Sequence, residues 1–303
     1  MLDGRLLVDA HAHVARLPTL SADWQEWARR YGAATPLDGL FDLGGTPIPE
    51  ALDAHFAAQG VDHVLLFSEY SPKVTGIQPI EDVMPVVRVN PARFRPVASL
   101  NPHLHYPVAG ELARQASLGA VAVKIHPVHG GFEARDRMLY PAYSWAEQRG
   151  LPVIVHCGTS TFAGSVNSYG DPVLLDEVFR DFPDLVVVLA HGGRGWWYQQ
   201  AAFLAQQKQN VWLEVSGLPP GRLGDYYGAA LPRLADKMIF GTDWPGVPGV
   251  ERNARALEKV LLAAGCAAEQ VAAAWGGNAA RVFGLLPAAG SRLHPSWPTT
   301  PTR

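Results

Sequence analysis

Short apolar runs alternate along the chain with segments whose apolar residues recur every three or four positions. The first pattern is typical of buried strands, and the second is typical of helices that pack one face on a core. Strands are predicted from Leu6 onwards and at residues 61–68, 94–100, 121–126, 152–156, 185–191, 211–215 and 238–243. Helices are predicted at residues 49–59, 80–90, 107–118, 139–149, 172–181, 196–209, 250–264 and 268–283, with a looser helical piece ending near residue 234.

The predicted strands therefore alternate regularly with helices. Strands that are apolar throughout are buried on both faces, as in parallel sheets covered by helices. This order predicts an α/β fold, a (β/α)8 TIM barrel formed as a single domain by residues 1–286. A doubly wound open sheet is the alternative, but no GxGxxG sequence follows the first strand.

One connection is too long for an ordinary loop between two elements. Residues 14–49 follow the first strand and contain an amphipathic stretch at residues 22–31. We predict that they form an insertion that acts as a lid, with the aromatic side chains Trp24, Trp27, Tyr31 and Phe41 covering a pocket. Burial of these rings for packing alone is the alternative. Residues 287–303 are rich in Pro, Ser and Thr and are predicted to be a C-terminal tail.

Composition narrows the class of partner. The chain has 303 residues, of which 48% are hydrophobic and 17% are charged, and its formal net charge is -3. Because no run of basic residues is present, we expect a small-molecule substrate rather than nucleic acid or a membrane surface. Two cysteines are too few for a disulfide framework, no apolar run reaches membrane-spanning length, and the N-terminal run is too short for a signal peptide. These features predict a cytoplasmic protein.

The first candidate for chemistry is the sequence DAHAH, which follows the first apolar run directly. On a strand, the period of two turns Asp9, His11 and His13 to one face. Neutral imidazole is a common ligand of zinc and related metals, so the two histidines are candidate ligands of one ion. A lone HxH pair also occurs by chance, and its context must decide.

The other predicted strand ends supply that context, because barrel enzymes keep their chemistry at the carboxyl ends of the strands. A single histidine in a strand is more often a structural residue than a ligand. Several polar residues that meet at one mouth of a barrel predict a metal site instead. The residues at these ends are His11, His13, Lys124, His126, His156, His191 and Asp243.

The same residues lie in motifs that resemble the amidohydrolase superfamily, and within it the amidohydrolase-2 group that includes aminocarboxymuconate semialdehyde decarboxylase. The motifs are DAHAH at Asp9, VKIHP at Val123, VIVHCG at Val153, LAHGG at Leu189, FGTDWPG at Phe240 and GGNAARVFGL at Gly276. The resemblance implies one divalent metal ion, zinc with manganese as the alternative, held by His11, His13, His156 and Asp243. It also implies that His191 stands beside the metal-bound water.

Three imidazoles and a carboxylate leave one coordination position open, and a metal ion there lowers the pKa of bound water to about 7. In this interpretation His191 takes or holds the proton of the water, and Asp243 shuttles a proton beside the metal. Lys124 has two interpretations: a carbamylated lysine that bridges two metals, as in some amidohydrolases, or an ammonium that meets a substrate carboxylate or carbonyl. We prefer a single metal. His126 is assigned to substrate binding, with a structural role equally open.

The first hypothesis for the reaction is a metal-dependent hydrolase that uses an activated water on a small ester, lactone, amide or C–C bond. The alternative is a nonoxidative decarboxylase of an aromatic or unsaturated acid, since the scaffold alone does not separate the two. Arg194 is expected either to grip a substrate carboxylate or to hold a loop by a salt bridge. Trp244 is expected either to contact a flat substrate or to be buried for packing. Barrels of this group often pair, so a homodimer is expected.

Overall fold

The computed structural model describes residues 1–31, 37, 39–246 and 249–285, and the predicted C-terminal tail lies outside these residues. Its centre is a sheet of eight strands, and neighbouring strands pair in parallel, as predicted for a TIM barrel. In sheet order the strands are β1 (Val8–Ala12), β2 (His63–Phe67), β5 (Phe94–Leu100), β6 (Val123–Ile125), β7 (Val153–Gly158), β8 (Val187–Arg194), β9 (Val211–Glu214) and β10 (Met238–Ile239). Two further strands, β3 (Glu69–Ser71) and β4 (Gly76–Gln78), form an antiparallel hairpin that the sequence pattern did not predict.

Backbone hydrogen bonds beyond the end of β10 close the barrel. The predicted strand runs to Asp243, whereas regular pairing of β10 with β9 ends at Ile239. Past this point the amide of Ala10 donates to the carbonyl of Phe240 (3.1 Å), and the amide of Asp243 donates to the carbonyl of His11 (3.0 Å). The first and last strands therefore lie side by side, and their polar ends meet.

Helices connect the strands in the predicted order. They are α1 (Ala22–Tyr31), α2 (Pro49–Ala58), α3 (Ile80–Val89), α4 (Val108–Ser117), α5 (Pro127–Gly130), α6 (Tyr140–Arg149), α7 (Asp176–Asp181), α8 (Tyr198–Gln207), α9 (Leu223–Tyr227), α10 (Leu231–Leu234), α11 (Val250–Ala263), α12 (Ala268–Ala272) and α13 (Asn278–Val282). A π-helical turn at Ala273–Gly277 divides the helix predicted at residues 268–283. In the described part of the chain, no helix combines the length and the apolar character needed to cross a membrane.

Two apolar layers hold the barrel together. Alternate strand residues such as Leu66 and Ile125 pack with buried helix residues such as Phe56 and Leu112, between the sheet and the helices. The intervening strand residues, including Phe67, form a second cluster on the inner face of the sheet. Because apolar side chains fill this interior, the polar residues of the strand ends are confined to the mouth.

The described part of the 14–49 insertion packs over this mouth. Leu20 pairs with Gly76 of the β3–β4 hairpin through an isolated antiparallel bridge. A Cβ atom at Gly76, whose φ is +121°, would lie 2.4 Å from the carbonyl oxygen of Thr19, so only glycine permits this contact. The bridge positions α1 beside the strand ends, and Trp24 of this helix is only 3% exposed.

Candidate metal centre

A cavity of about 650 Å³ opens at the carboxyl ends of the barrel strands. Trp24, Trp27 and Arg30 from α1 form part of its wall, whereas Phe41, which was also predicted to cover the pocket, does not line it. The side chain of Tyr31, which was predicted to take part, lies outside the described part of the structure. The predicted site residues in the wall are His11, His13, His126, His156, His191, Arg194 and Asp243.

Three of the four predicted metal ligands lie close enough to share one ion. The Nε2 atoms of His11 and His13 lie 3.5 and 3.4 Å from Oδ1 of Asp243. One ligand atom from each of the three residues lies within 4.8 Å of the others. Tetrahedral ligands at about 2.1 Å from zinc are about 3.4 Å apart. The observed separations therefore fit coordination of a divalent ion.

The alternation expected at the first strand is interrupted. The pairing of β1 with β2 shifts register between Asp9 and Ala12. Asp9 does not line the cavity with His11 and His13, since its carboxylate accepts hydrogen bonds from the amide and hydroxyl of Thr242 at 2.9 and 2.6 Å. Asp9 thus ties the first strand to the last one.

The fourth predicted ligand, His156, lies beside His191 and is not one of the described residues whose ligand atoms lie within 4.8 Å of one another. Its ring centroid is 4.6 Å from that of His191. Its Nε2 atom is buried and has no hydrogen-bond partner among the residues that the structure describes. Since buried polar atoms are normally satisfied, this nitrogen is free to serve as a metal ligand. The donor set of His11, His13 and Asp243 fits a divalent ion, and the unpartnered Nε2 of His156 is the candidate for a fourth ligand.

Hydrogen bonds on the far side of the rings fix the orientation of two imidazoles. Nδ1 of His11 lies 2.9 Å from Oε2 of Glu214, and Nδ1 of His191 lies 3.1 Å from the carbonyl oxygen of Ser216. The Ser216 hydroxyl donates to Oε2 of Glu214 at 2.8 Å. An imidazole that donates from Nδ1 offers a lone pair at Nε2, the form that binds a metal or accepts a proton.

The protonation states also suit a cation. Burial, together with the charges of Lys124 and neighbouring imidazoles, lowers the pKa of His11 well below its ordinary value. Burial likewise lowers the pKa of His156. Burial alone would raise the pKa of Asp243, but a hydrogen bond from His13 and nearby positive charges hold it below its ordinary value. Neutral imidazoles beside an ionised carboxylate are the states that metal ligands require.

Two residues of the site adopt the left-handed backbone conformation that residues other than glycine rarely adopt. The φ angle is +64° at His191 and +63° at Asp243. Such residues cluster at functional sites, where the surrounding structure holds them in place. Gly217 lies close by, and a Cβ atom there would come within 2.7 Å of Nη1 of Arg194 and 3.0 Å of Oδ2 of Asp243. Glycine therefore keeps the space between these groups open.

Two predicted substrate-binding residues, Arg194 and His126, lie on the cavity wall. Arg194 donates from Nε and Nη2 to the carbonyl oxygen of Thr159 at 3.2 and 3.1 Å, and its Nη1 lies 3.9 Å from Oδ2 of Asp243. The same guanidinium therefore holds the Thr159 backbone by hydrogen bonds and also faces the carboxylate of Asp243.

The other two predicted substrate-binding residues, Trp244 and Lys124, lie behind the wall rather than on it. Neither side chain is exposed, and neither lines the cavity. Trp244 stacks on Phe41 with a ring-centroid distance of 6.3 Å, so packing accounts for its burial. Nζ of Lys124 lies 4.9 Å from the centre of the Phe67 ring, and burial lowers the pKa of this lysine. Direct substrate contact has no geometric basis at either position.

Sequence reasoning missed Glu69, His129, Glu214 and Ser216. Glu69 follows β2 and lines the cavity together with His129 of α5. Glu214 is the last residue of β9. Both acids stand at the end of an apolar run, so the rule that found the other strand-end residues would also have identified them.

Solved structures resemble this chain along nearly its whole length. An uncharacterized TIM-barrel protein from Bordetella bronchiseptica superposes with a TM-score of 0.71 at 25% identity, covering 92% of this chain and 98% of that chain. The 5-carboxyvanillate decarboxylase of Sphingomonas paucimobilis superposes with a TM-score of 0.63 at 17% identity, covering 92% and 99%. These likenesses confirm the predicted barrel.

A curated relative covers less of the sequence. The 2-keto-4-carboxy-3-hexenedioate hydratase of Sphingobium sp. (strain NBRC 103272 / SYK-6) is 22% identical over 227 residues, which are 62% of this chain and 65% of that protein. The match spans less than two thirds of the length of that relative.

The family model Amidohydro_2, described as Amidohydrolase, matches residues 8–285. The match includes all eight barrel strands and every residue of the metal centre described above. It confirms the resemblance that the strand-end motifs indicated. This chain belongs to the amidohydrolase-2 family.

Proposed function

We propose that this protein is a metal-dependent hydrolase whose ion is held by His11, His13, His156 and Asp243. The observation that carries the proposal is the convergence of two Nε2 atoms on Oδ1 of Asp243, at 3.5 and 3.4 Å. Three nitrogen donors and one oxygen donor suit zinc, with manganese as the alternative. A bound divalent ion of this kind makes hydroxide available from water at neutral pH.

His191 is the proposed general base. Its Nδ1 faces the carbonyl oxygen of Ser216, which leaves Nε2 to accept a proton and later return it. Its ring centre lies 4.8 Å from that of His11 and 4.6 Å from that of His156, so it borders the proposed ligands. Asp243 is the second proton carrier, through the carboxylate oxygen that faces Arg194.

The remainder of the cavity wall favours a small, flat substrate that bears a carboxylate. Arg30, Arg194 and Arg252 contribute guanidinium groups, which bind carboxylates through two parallel hydrogen bonds. Trp27 and Phe162 contribute aromatic faces, and their ring centroids lie 5.9 Å apart. The cavity volume of about 650 Å³ is that of a typical small-molecule site.

Nonoxidative decarboxylation is the second candidate, and the arginine side chains in the cavity favour it because an acid is the substrate of that reaction. The similarity to a decarboxylase structure supports the shared fold. The curated relative is named as a hydratase, and hydration, like hydrolysis, consumes water, whereas decarboxylation does not. The two proposals differ in whether oxygen from water enters the product.

That difference provides the test. The zinc- or manganese-loaded protein would be incubated in ¹⁸O-labelled water with a panel of esters, lactones and aromatic acids that carry ¹³C-carboxyl groups. We expect a hydrolysis product that contains ¹⁸O, formed by wild type and by a His103→Asn control, and lost on chelation or in His191→Asn. Release of ¹³CO₂ with no other bond cleaved would reject the hydrolase and support the decarboxylase. Equal turnover in wild type and His191→Asn would reject both mechanisms.

A further inference from the structure

A second polar cluster lies on the cavity wall outside the proposed metal ligands. It consists of Glu69, at the start of β3, and His129, in α5. Nδ1 of His129 lies 3.3 Å from Oε1 of Glu69, and the hydroxyl of Thr75 donates to the same oxygen. His126 stands on the other side of the carboxylate, with its Nε2 3.9 Å from Oε2. We refer to Glu69 and His129 as the acceptor pair.

The acceptor pair is arranged to receive hydrogen bonds. Glu69 is only 2% exposed, and although burial raises its pKa, the neighbouring His126 and His129 hold the pKa well below its ordinary value. With Nδ1 facing this carboxylate, the neutral imidazole of His129 presents Nε2 as an acceptor. His129 is 8% exposed, and its Nε2 has no hydrogen-bond partner among the described residues. A buried acceptor of this kind needs a donor.

A metal ion is a poor occupant for the acceptor pair. Among the described side chains, groups of ligand atoms that lie within 4.8 Å of one another form around His11, and the acceptor pair belongs to none of them. Nδ1 of His129 is occupied by Glu69, so the free nitrogen and the carboxylate lie on different sides of the ring. Since no described side chain supplies the donor and His129 lines the cavity, a molecule bound in the cavity is the candidate donor.

We propose that Glu69 and His129 form a subsite for a hydroxyl or amino group of the substrate. The ring of His129 lies 4.7 Å from that of His156, which in turn lies 4.6 Å from the ring of His191. In this arrangement the donor group of the substrate lies at the acceptor pair, and its carboxylate faces the guanidinium groups of the cavity wall. This inference rests on the proposed function, because it places the substrate in the same cavity.

The test measures binding of probes to the zinc-loaded protein by calorimetry. The probes are benzoate, the three hydroxybenzoates and the matching aminobenzoates and methoxybenzoates. We expect at least one hydroxy- or aminobenzoate to bind about tenfold more tightly than benzoate, the order expected for one added hydrogen bond to a buried acceptor. The matching methoxybenzoate lacks the donor and should lose this gain. The hydroxy and amino series together identify which donor is preferred.

Two variants assign the gain to the acceptor pair. Glu69→Gln and His129→Gln should each remove the tenfold advantage while leaving benzoate affinity and zinc content unchanged. If thermal unfolding shows that one variant does not fold, the other carries the test. His103→Gln is the matched control, because His103 is exposed and lies outside the cavity wall.

Two results would overturn the proposal. One is a wild-type protein that binds no hydroxy or amino probe more tightly than benzoate. The other is loss of zinc from a folded His129→Gln protein, which would make His129 a metal ligand. The reaction type is judged by turnover and not by binding, so failure of the hydrolase proposal is a separate outcome.

Discussion

Replacement of Glu214 by glutamine tests the metal centre without touching a proposed ligand. Both carboxylate oxygens are in use: Oε1 accepts the amide N–H of Ser216 at 2.5 Å, and Oε2 lies 2.9 Å from Nδ1 of His11. The side chain is only 1% exposed, so water cannot replace a lost partner. Glu214 therefore holds His11 in the orientation that presents Nε2 to the ion.

The expected size of the effect follows from these bonds. In Glu214→Gln one oxygen becomes an NH₂ group, which must face either the Ser216 amide or His11, so a donor meets a donor. Loss of one buried hydrogen bond that leaves a partner unsatisfied costs about 1–3 kcal/mol. We expect the zinc Kd to rise about 10–100-fold, the range found when the partner of a metal-binding histidine is removed.

The assay is competition for zinc with a chromophoric chelator at fixed pH, alongside circular dichroism to confirm folding. Glu147→Gln is the matched control, because Oε1 of Glu147 also accepts a backbone N–H, from Asp184 at 2.9 Å, but lies on the surface. Its zinc affinity should equal that of wild type. A folded Glu214→Gln protein with a zinc Kd within about twofold of wild type would refute the role that we assign to this carboxylate.

Four further predictions concern the metal centre, the core and the cysteines. His11→Ala should abolish stoichiometric zinc binding and activity while the circular dichroism spectrum stays unchanged, and full zinc content would contradict the ligand assignment. His191→Asn should lower kcat about 10²–10⁴-fold while the protein retains its zinc. Phe56→Ala should reduce the free energy of unfolding in urea by about 3–5 kcal/mol, because the ring is fully buried in the main core, and a loss below about 1 kcal/mol would contradict that packing. Neither Cys157 nor Cys266 should react with a thiol reagent in the native protein, since both are buried and burial raises their pKa values. Rapid labelling of either cysteine without denaturant would contradict this prediction.

The order of the barrel elements could be predicted because it depends on local patterns. Apolar runs and amphipathic segments report burial directly, and the observed β5 (Phe94–Leu100) has the predicted bounds. The strand-end rule identified His11, His13 and Asp243 as neighbours because all parallel strands of a barrel end at one mouth. Thus the sequence by itself determined the fold class and most of the proposed ligand set.

Only the tertiary structure decided how these residues are held and which neighbours they have. The bonds that join β1 to residues beyond β10 depend on the register of a closed sheet, and the hydrogen bond between His11 and Glu214 joins residues 203 positions apart. No local pattern encodes such contacts, because they arise only when sheet twist and helix packing bring distant segments together. The same cause placed Trp244 behind the cavity wall and brought Glu69 and His129 onto it.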